Sequence, residues 1–205
     1  MQNNNYYKER ALETLKGNWK TAAVITLVYF ILACIPNIIQ GVHGEGLTTG
    51  LISLIYAIAF IPVSWSFYII FLNLKRGSNI GVSNLFDGYK DYKRIFCTYL
   101  LEGIYILLWT LLFIIPGIIK ALSYSMTPYI LKDYPDLKNN AAIEKSMQMM
   151  EGHKSELFVL TLTFIGWYII SILTLGIGLL FLIPYVNTTV AHFYEDLKKE
   201  TGDVN

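Results

Sequence analysis

The chain has 205 residues, 54% of them hydrophobic and only 15% charged, with a mean hydropathy of +0.46 and a formal net charge of +1. That composition excludes an ordinary soluble domain, in which about a quarter of the residues are charged, and a charge so near zero supplies no basic field for nucleic acid. Cys34 and Cys97 lie in or beside apolar runs, where small buried hydrophobes are expected rather than a disulfide or redox pair.

In chain order, Asn3 to Asn18 places Tyr7, Ala11, Leu12 and Leu15 on one helical face and Lys8, Glu9, Arg10, Glu13 and Lys16 elsewhere, the pattern of a helix lying on a membrane surface. Trp19 to Ile39 follows as an uncleaved first span, since the residues before it are mixed in charge and no small-residue cleavage site is present. A hydrocarbon core of about 30 Å needs about 20 residues at a helical rise of about 1.5 Å, and this run supplies them. Gln40 to Thr49, with only His43 and Glu45 as possible charges, connects to a second span from Gly50 to Leu72.

Asn73 to Arg94 is polar. Ile95 to Ile115 forms a third span ended by Pro116-Gly117, and Gly117 to Leu131, roughly 22 Å of helix, forms a short fourth. Lys132 to Glu156 carries a second amphipathic helix, begun by Asn139 or Asn140, with Ile143, Met147 and Met150 on one side. Leu157 to Tyr194 suits two crossings that reverse at Leu175-Gly176-Ile177-Gly178, and the tail from Glu195 to Asn205 is polar.

The expected fold class is all-α: a polytopic membrane helical bundle of six spans in three hairpins, one integral domain over 1–205, with amphipathic helices on the cytoplasmic side. Of the 16 Lys and Arg residues, all but Lys120 fall in the termini, the even-numbered loops or, for Lys20, the N-terminal edge of the first span, which places both termini in the cytoplasm by the positive-inside rule. A four-span reading would leave Lys132, Lys138, Lys145 and Lys154 outside.

Three segments before the odd-numbered spans share a pattern: Lys16-Gly17-Asn18-Trp19-Lys20, Asp87-Gly88-Tyr89-Lys90 and Glu151-Gly152-His153-Lys154. In each, glycine would end a surface helix in a left-handed conformation, while Trp19, Tyr89 or His153 sits at headgroup level and Lys20, Lys90 or Lys154 meets water or lipid phosphate. This predicts repeats over 1–77, 78–138 and 139–205.

Glu102 lies about two helical turns inside the third span and Lys120 about one turn after Pro116-Gly117; ionisable groups at such depth are functional candidates. The even-numbered spans add Ser64, Ser66, Ser123, Ser125, Thr127, Asn187, Thr188, Thr189 and His192, and Pro62, Pro128 and Pro184 interrupt the same spans, so they are expected to line a polar region. Glu102, Lys120, Ser123, Ser125 and Asn187 are the candidate intramembrane polar residues. No nucleophile with its base, metal-binding helix pair or carboxylate pair is present, so neither a catalytic residue, a metal nor a cofactor is expected.

Trp109 to Leu131, Gly152-His153-Lys154, Phe164-Ile165-Gly166-Trp167, Leu173 to Gly178 and Pro184-Tyr185, with Lys16-Gly17-Asn18-Trp19 near the start, resemble the domain-of-unknown-function 975 family of bacterial integral membrane proteins over nearly the whole chain. The Ile-Pro-Gly break and Gly-His motif are also similar, more loosely, to the membrane domain of some glycerophosphodiester phosphodiesterases. The first resemblance implies a bacterial plasma membrane protein and brings no catalytic residues; the second points to lipid or headgroup traffic. Ser155-Glu156 departs from the more basic or aromatic pair expected after Gly-His-Lys. Two functions fit these residues. One is handling of a lipid or small amphiphile in a polar cavity; the other is a non-catalytic scaffold whose helix Ala141 to Met150 docks a protein partner on the cytoplasmic face.

Overall fold

The computed structural model describes residues 2–44 and 46–202, so Glu45 and the end of the polar tail lie outside the described residues. Helix α1 (Asn4–Leu15) is started by Asn3, whose side chain accepts from the Tyr6 N–H at 2.8 Å, a cap worth about 1 kcal/mol. Tyr7, Ala11 and Leu15 are buried against helix α10 (Leu179–Glu200): the Tyr7 ring lies 5.6 Å from Phe193, and Thr14 Oγ1 lies 2.9 Å from His192 Nε2. Protein therefore covers the face expected to lie on lipid, while Leu12 is 45% exposed. Amphipathic spacing demands an apolar cover and is silent on whether lipid or another helix provides it.

The remaining elements are α2 (Trp19–His43), α3 (Leu47–Lys75), a 3-10 segment (Val82–Asp91) running into α4 (Tyr92–Leu112), α5 (Ile114–Tyr124), α6 (Thr127–Asp133), α7 (Asn140–Met149), α8 (Lys154–Leu162) and α9 (Ile165–Leu173). Every regular element among the described residues is helical. Four stretches are long and apolar enough to cross a membrane: Trp19–His43, Leu47–Lys75, Val82–Leu112 and Lys154–Leu173.

The turn after α4 falls at Phe113, in extended backbone, and not at Pro116-Gly117. Pro116 occupies the first turn of α5, where its missing N–H has no intrahelical partner to lose. Gly117 instead permits close approach: a Cβ there would stand 2.4 Å from Thr110 Oγ1. The later reversal repeats the device, since a Cβ on Gly178 would stand 2.7 Å from Ser171 Oγ. Together α5 and α6 run from Ile114 to Asp133, about 30 Å of helix, so this segment is longer than the expected Gly117 to Leu131. Its interruption near Met126 is held by Ser146 of α7, which donates to the Ser123 carbonyl at 2.8 Å and accepts from the Met126 N–H at 3.2 Å.

The core centres on α3, α6 and α10, where Ile69, Leu72, Tyr129, Ile130, Phe193 and Tyr194 are buried together. Helix α7 turns Ala142, Ile143, Ser146 and Met149 inward, followed by buried Met150, and leaves Met147 half-buried. The opposite ends of the long helices are apolar and open, with Leu47 83% and Leu175 95% exposed. The C-terminal ends of α3, α6 and α10 meet in an ion network. Arg76 donates to both oxygens of Asp133 at 2.7 Å and to Glu195 at 2.7 Å, while Lys198 and the Tyr194 hydroxyl reach Asp133 at 2.9 and 3.0 Å.

Candidate functional site

Glu102 is the only acid of α4 and stands about 15 Å along it from Tyr92. It borders a cavity of about 540 Å³, within the range of small-molecule sites. Five helices each give the wall one tyrosine: Tyr29 from α2, Tyr68 from α3, Tyr99 from α4, Tyr129 from α6 and Tyr168 from α9. Ring packing holds several of them in place. Tyr29 stacks on Phe67 with centroids 4.2 Å apart, and Tyr129 on Tyr194 at 4.9 Å.

Tyr99 OH, Tyr129 OH and Glu102 Oε2 are buried without a hydrogen-bond partner among the described residues, and all three residues line this one cavity. Leaving a buried polar atom unsatisfied costs about 1–3 kcal/mol, so three at one place mark a wall whose polar atoms the protein itself leaves unpaired. Thr188 Oγ1 is also unsatisfied but lies away from the wall.

Three of the five expected intramembrane polar residues, Glu102, Ser125 and Asn187, line the cavity. Ser125 and Asn187 also bond to their own chain, at Leu122 O (2.7 Å) and Ile183 O (3.0 Å). Ser123 does not reach the cavity; it is buried and donates to Ile119 O at 2.8 Å. Lys120 holds its Nζ 4.9 Å from the Trp109 ring centroid, outside the wall. Most of the other expected lining groups serve the fold: Ser66 accepts from the Gly88 N–H at 2.7 Å, and Thr127 and Thr189 bond to carbonyls of their own segments.

The three Gly-Lys turns use two mechanisms. Gly17 (φ +87°) and Gly152 (φ +83°) are left-handed as expected, whereas Gly88 is a packing glycine whose Cβ would stand 2.4 Å from the Pro62 carbonyl oxygen. Trp19 is half-buried beside Phe181 and Lys20 is exposed. The Tyr89 hydroxyl donates to Ala59 O at 2.7 Å, Lys90 pairs with Asp87 at 2.6 Å, and His153 faces Glu156 at 3.2 Å. Lys154 is half-buried beside Glu144 and Glu151.

Sequence reasoning missed the tyrosines. Their signal was position: each sits within an apolar run, where a phenol needs a polar partner, and not only at a rim where tyrosine serves as an interfacial anchor. Among the described residues, no three His, Cys, Asp or Glu side chains gather into a metal-binding group.

Fold and cavity together define a class: an all-helical protein with four helices of membrane-crossing length and apolarity around a half-open, tyrosine-lined cavity. The chain belongs to the family described as Protein of unknown function (DUF975), whose model matches residues 1–123 and 111–201. No curated protein and no solved structure matches it.

Proposed function

We propose that the chain is a bacterial plasma membrane protein that holds a lipid or small amphiphile in the cavity between its helices without chemically altering it. The observation that carries this reading is the convergence of Tyr99 OH, Tyr129 OH and Glu102 Oε2, all unsatisfied, on one 540 Å³ space. Native mass spectrometry of the protein extracted from its own membrane tests it. Selective retention of one lipid class or amphiphile, lost in Glu102→Gln, supports the reading; a bare protein overturns it.

The proposed topology is six crossings in three hairpins with both termini cytoplasmic. In support, α5–α6 and α10 add two further helical segments to the four long apolar ones, the apolar ends at Leu47, Phe113 and Leu175 are exposed, and the ion network joins the opposite ends. The Gly117–Thr110 and Gly178–Ser171 contacts, each spanning seven residues, support related second and third repeats. With Cys34 and Cys97 replaced, a cysteine at Leu175 should react with an impermeant maleimide in intact cells and one at Ser78 only after lysis. The reverse labelling would refute the orientation.

The scaffold alternative draws less support. Met149 and Met150 of the expected docking segment are 1% and 0% exposed, which leaves Met147 as its only partly accessible methionine.

A further inference from the structure

The wall selects among amphiphiles by its charge. Six aromatic rings line it, from Tyr29, Phe67, Tyr68, Tyr99, Tyr129 and Tyr168, together with one carboxyl, Glu102, and no Lys, Arg or His. Several basic residues on the helices that form the wall are engaged elsewhere. Arg94 donates to Leu131 O at 2.7 Å and Leu137 O at 2.9 Å, Arg76 and Lys198 hold Asp133, and Lys120 covers Trp109.

Resting on the reading that the cavity holds an amphiphile, we propose that its ligand is a lipophilic organic cation, an amine or quaternary ammonium seated among the tyrosine rings and opposed by Glu102. Aromatic faces carry negative potential and attract such a group most strongly where water is excluded, and a carboxylate supplies its counter-charge. The opposite choice fails on the same wall: a phosphate-bearing headgroup would meet Glu102 and the ring faces with no cation to receive it. A neutral amphiphile satisfies the tyrosine hydroxyls but gains nothing from the negative potential of the ring faces. The Tyr29–Phe67 and Tyr129–Tyr194 stacks hold ring faces in place before the ligand arrives, which lowers the ordering cost of binding.

The test compares radiolabelled benzyltrimethylammonium with neopentylbenzene, its uncharged carbon isostere, on the full chain in nanodiscs, with empty nanodiscs subtracted. The cation should bind saturably, at least about tenfold tighter than the isostere, and Glu102→Gln should abolish that preference. Tyr99→Phe, which keeps the ring face, should retain it. Saturable binding of the isostere with equal or greater affinity overturns the cation assignment and leaves the cavity reading standing. Absence of saturable binding by both probes also overturns the assignment; native mass spectrometry then separates the readings, because a retained neutral lipid preserves the cavity and a bare protein removes it as well. Should Glu102→Gln fail to fold, the ratio of the two probes on the unaltered protein decides.

Discussion

At the ends of α3, α6 and α10, the Asp133 carboxylate, 6% exposed, receives hydrogen bonds from Arg76, Tyr194 and Lys198. In the cavity, Tyr99 OH, Tyr129 OH and Glu102 Oε2 have no such partners. The two regions share helices: α6 carries both Tyr129 and Asp133, and α10 carries both Asn187 and Tyr194. One set of elements thus saturates its polar groups at one level and leaves them open at another. A buried polar group without a partner is destabilising unless something else supplies the bond, so the contrast supports the proposed guest in the cavity and makes the network the clasp that ties its walls together.

Breaking the clasp should produce the largest effect. Asp133→Ala removes the buried carboxylate that binds Lys198 and Tyr194 and leaves Arg76 with Glu195 alone, and should lower stability by about 3 kcal/mol, read as a fall in the thermal midpoint of the purified protein. Filling a close approach comes next: Gly117→Ala drives a methyl into Thr110 and should cost about 1–3 kcal/mol by the same melt.

Acid should weaken the clasp. Burial by itself would raise the carboxyls of Asp133 and Glu195, but hydrogen bonds and charge from Arg76, with Lys198 at Asp133 and Lys75 at Glu195, hold both below their ordinary range. The fold therefore binds these protons more weakly than the unfolded chain does. Their stabilisation is complete above the ordinary carboxylate pKa of about 4 and is lost as pH falls through the lower folded values. Melts at descending pH should show that loss, and Asp133→Asn should reduce it to the part that Glu195 contributes. The smallest change sharpens the contrast by its sign. Tyr129→Phe removes an unpaired hydroxyl and should leave the unliganded protein equally stable or up to about 1 kcal/mol more stable, while weakening ligand retention. A clear loss of stability in the ligand-free protein would mean that the hydroxyl already has a structural partner.

Hydropathy made the long helices legible, because lipid-length apolar runs leave few alternatives, and Glu102 stood out as an acid within one of them. Ser125 and Asn187 were legible as polar residues in apolar surroundings. Tyr129 and Tyr168 were not, since tyrosine in a membrane protein also reads as a rim anchor and only the packing of five helices brings the rings together. The clasp was equally hidden. Arg76, Asp133 and Glu195 each look like an ordinary solvated charge past the end of an apolar run, and their separation along the chain contains no hint of contact. The cover over α1 was ambiguous for a different reason, because lipid and α10 satisfy the same apolar face.

The clasp also bears on the order of assembly during synthesis. Arg76 and Asp133 are made well before Tyr194, Glu195 and Lys198, and the same α10 also brings Asn187 to the cavity wall. The nascent chain accordingly lacks one side of the cavity wall until α10 docks. Docking of α10 thus completes the ion network and its share of the cavity wall together.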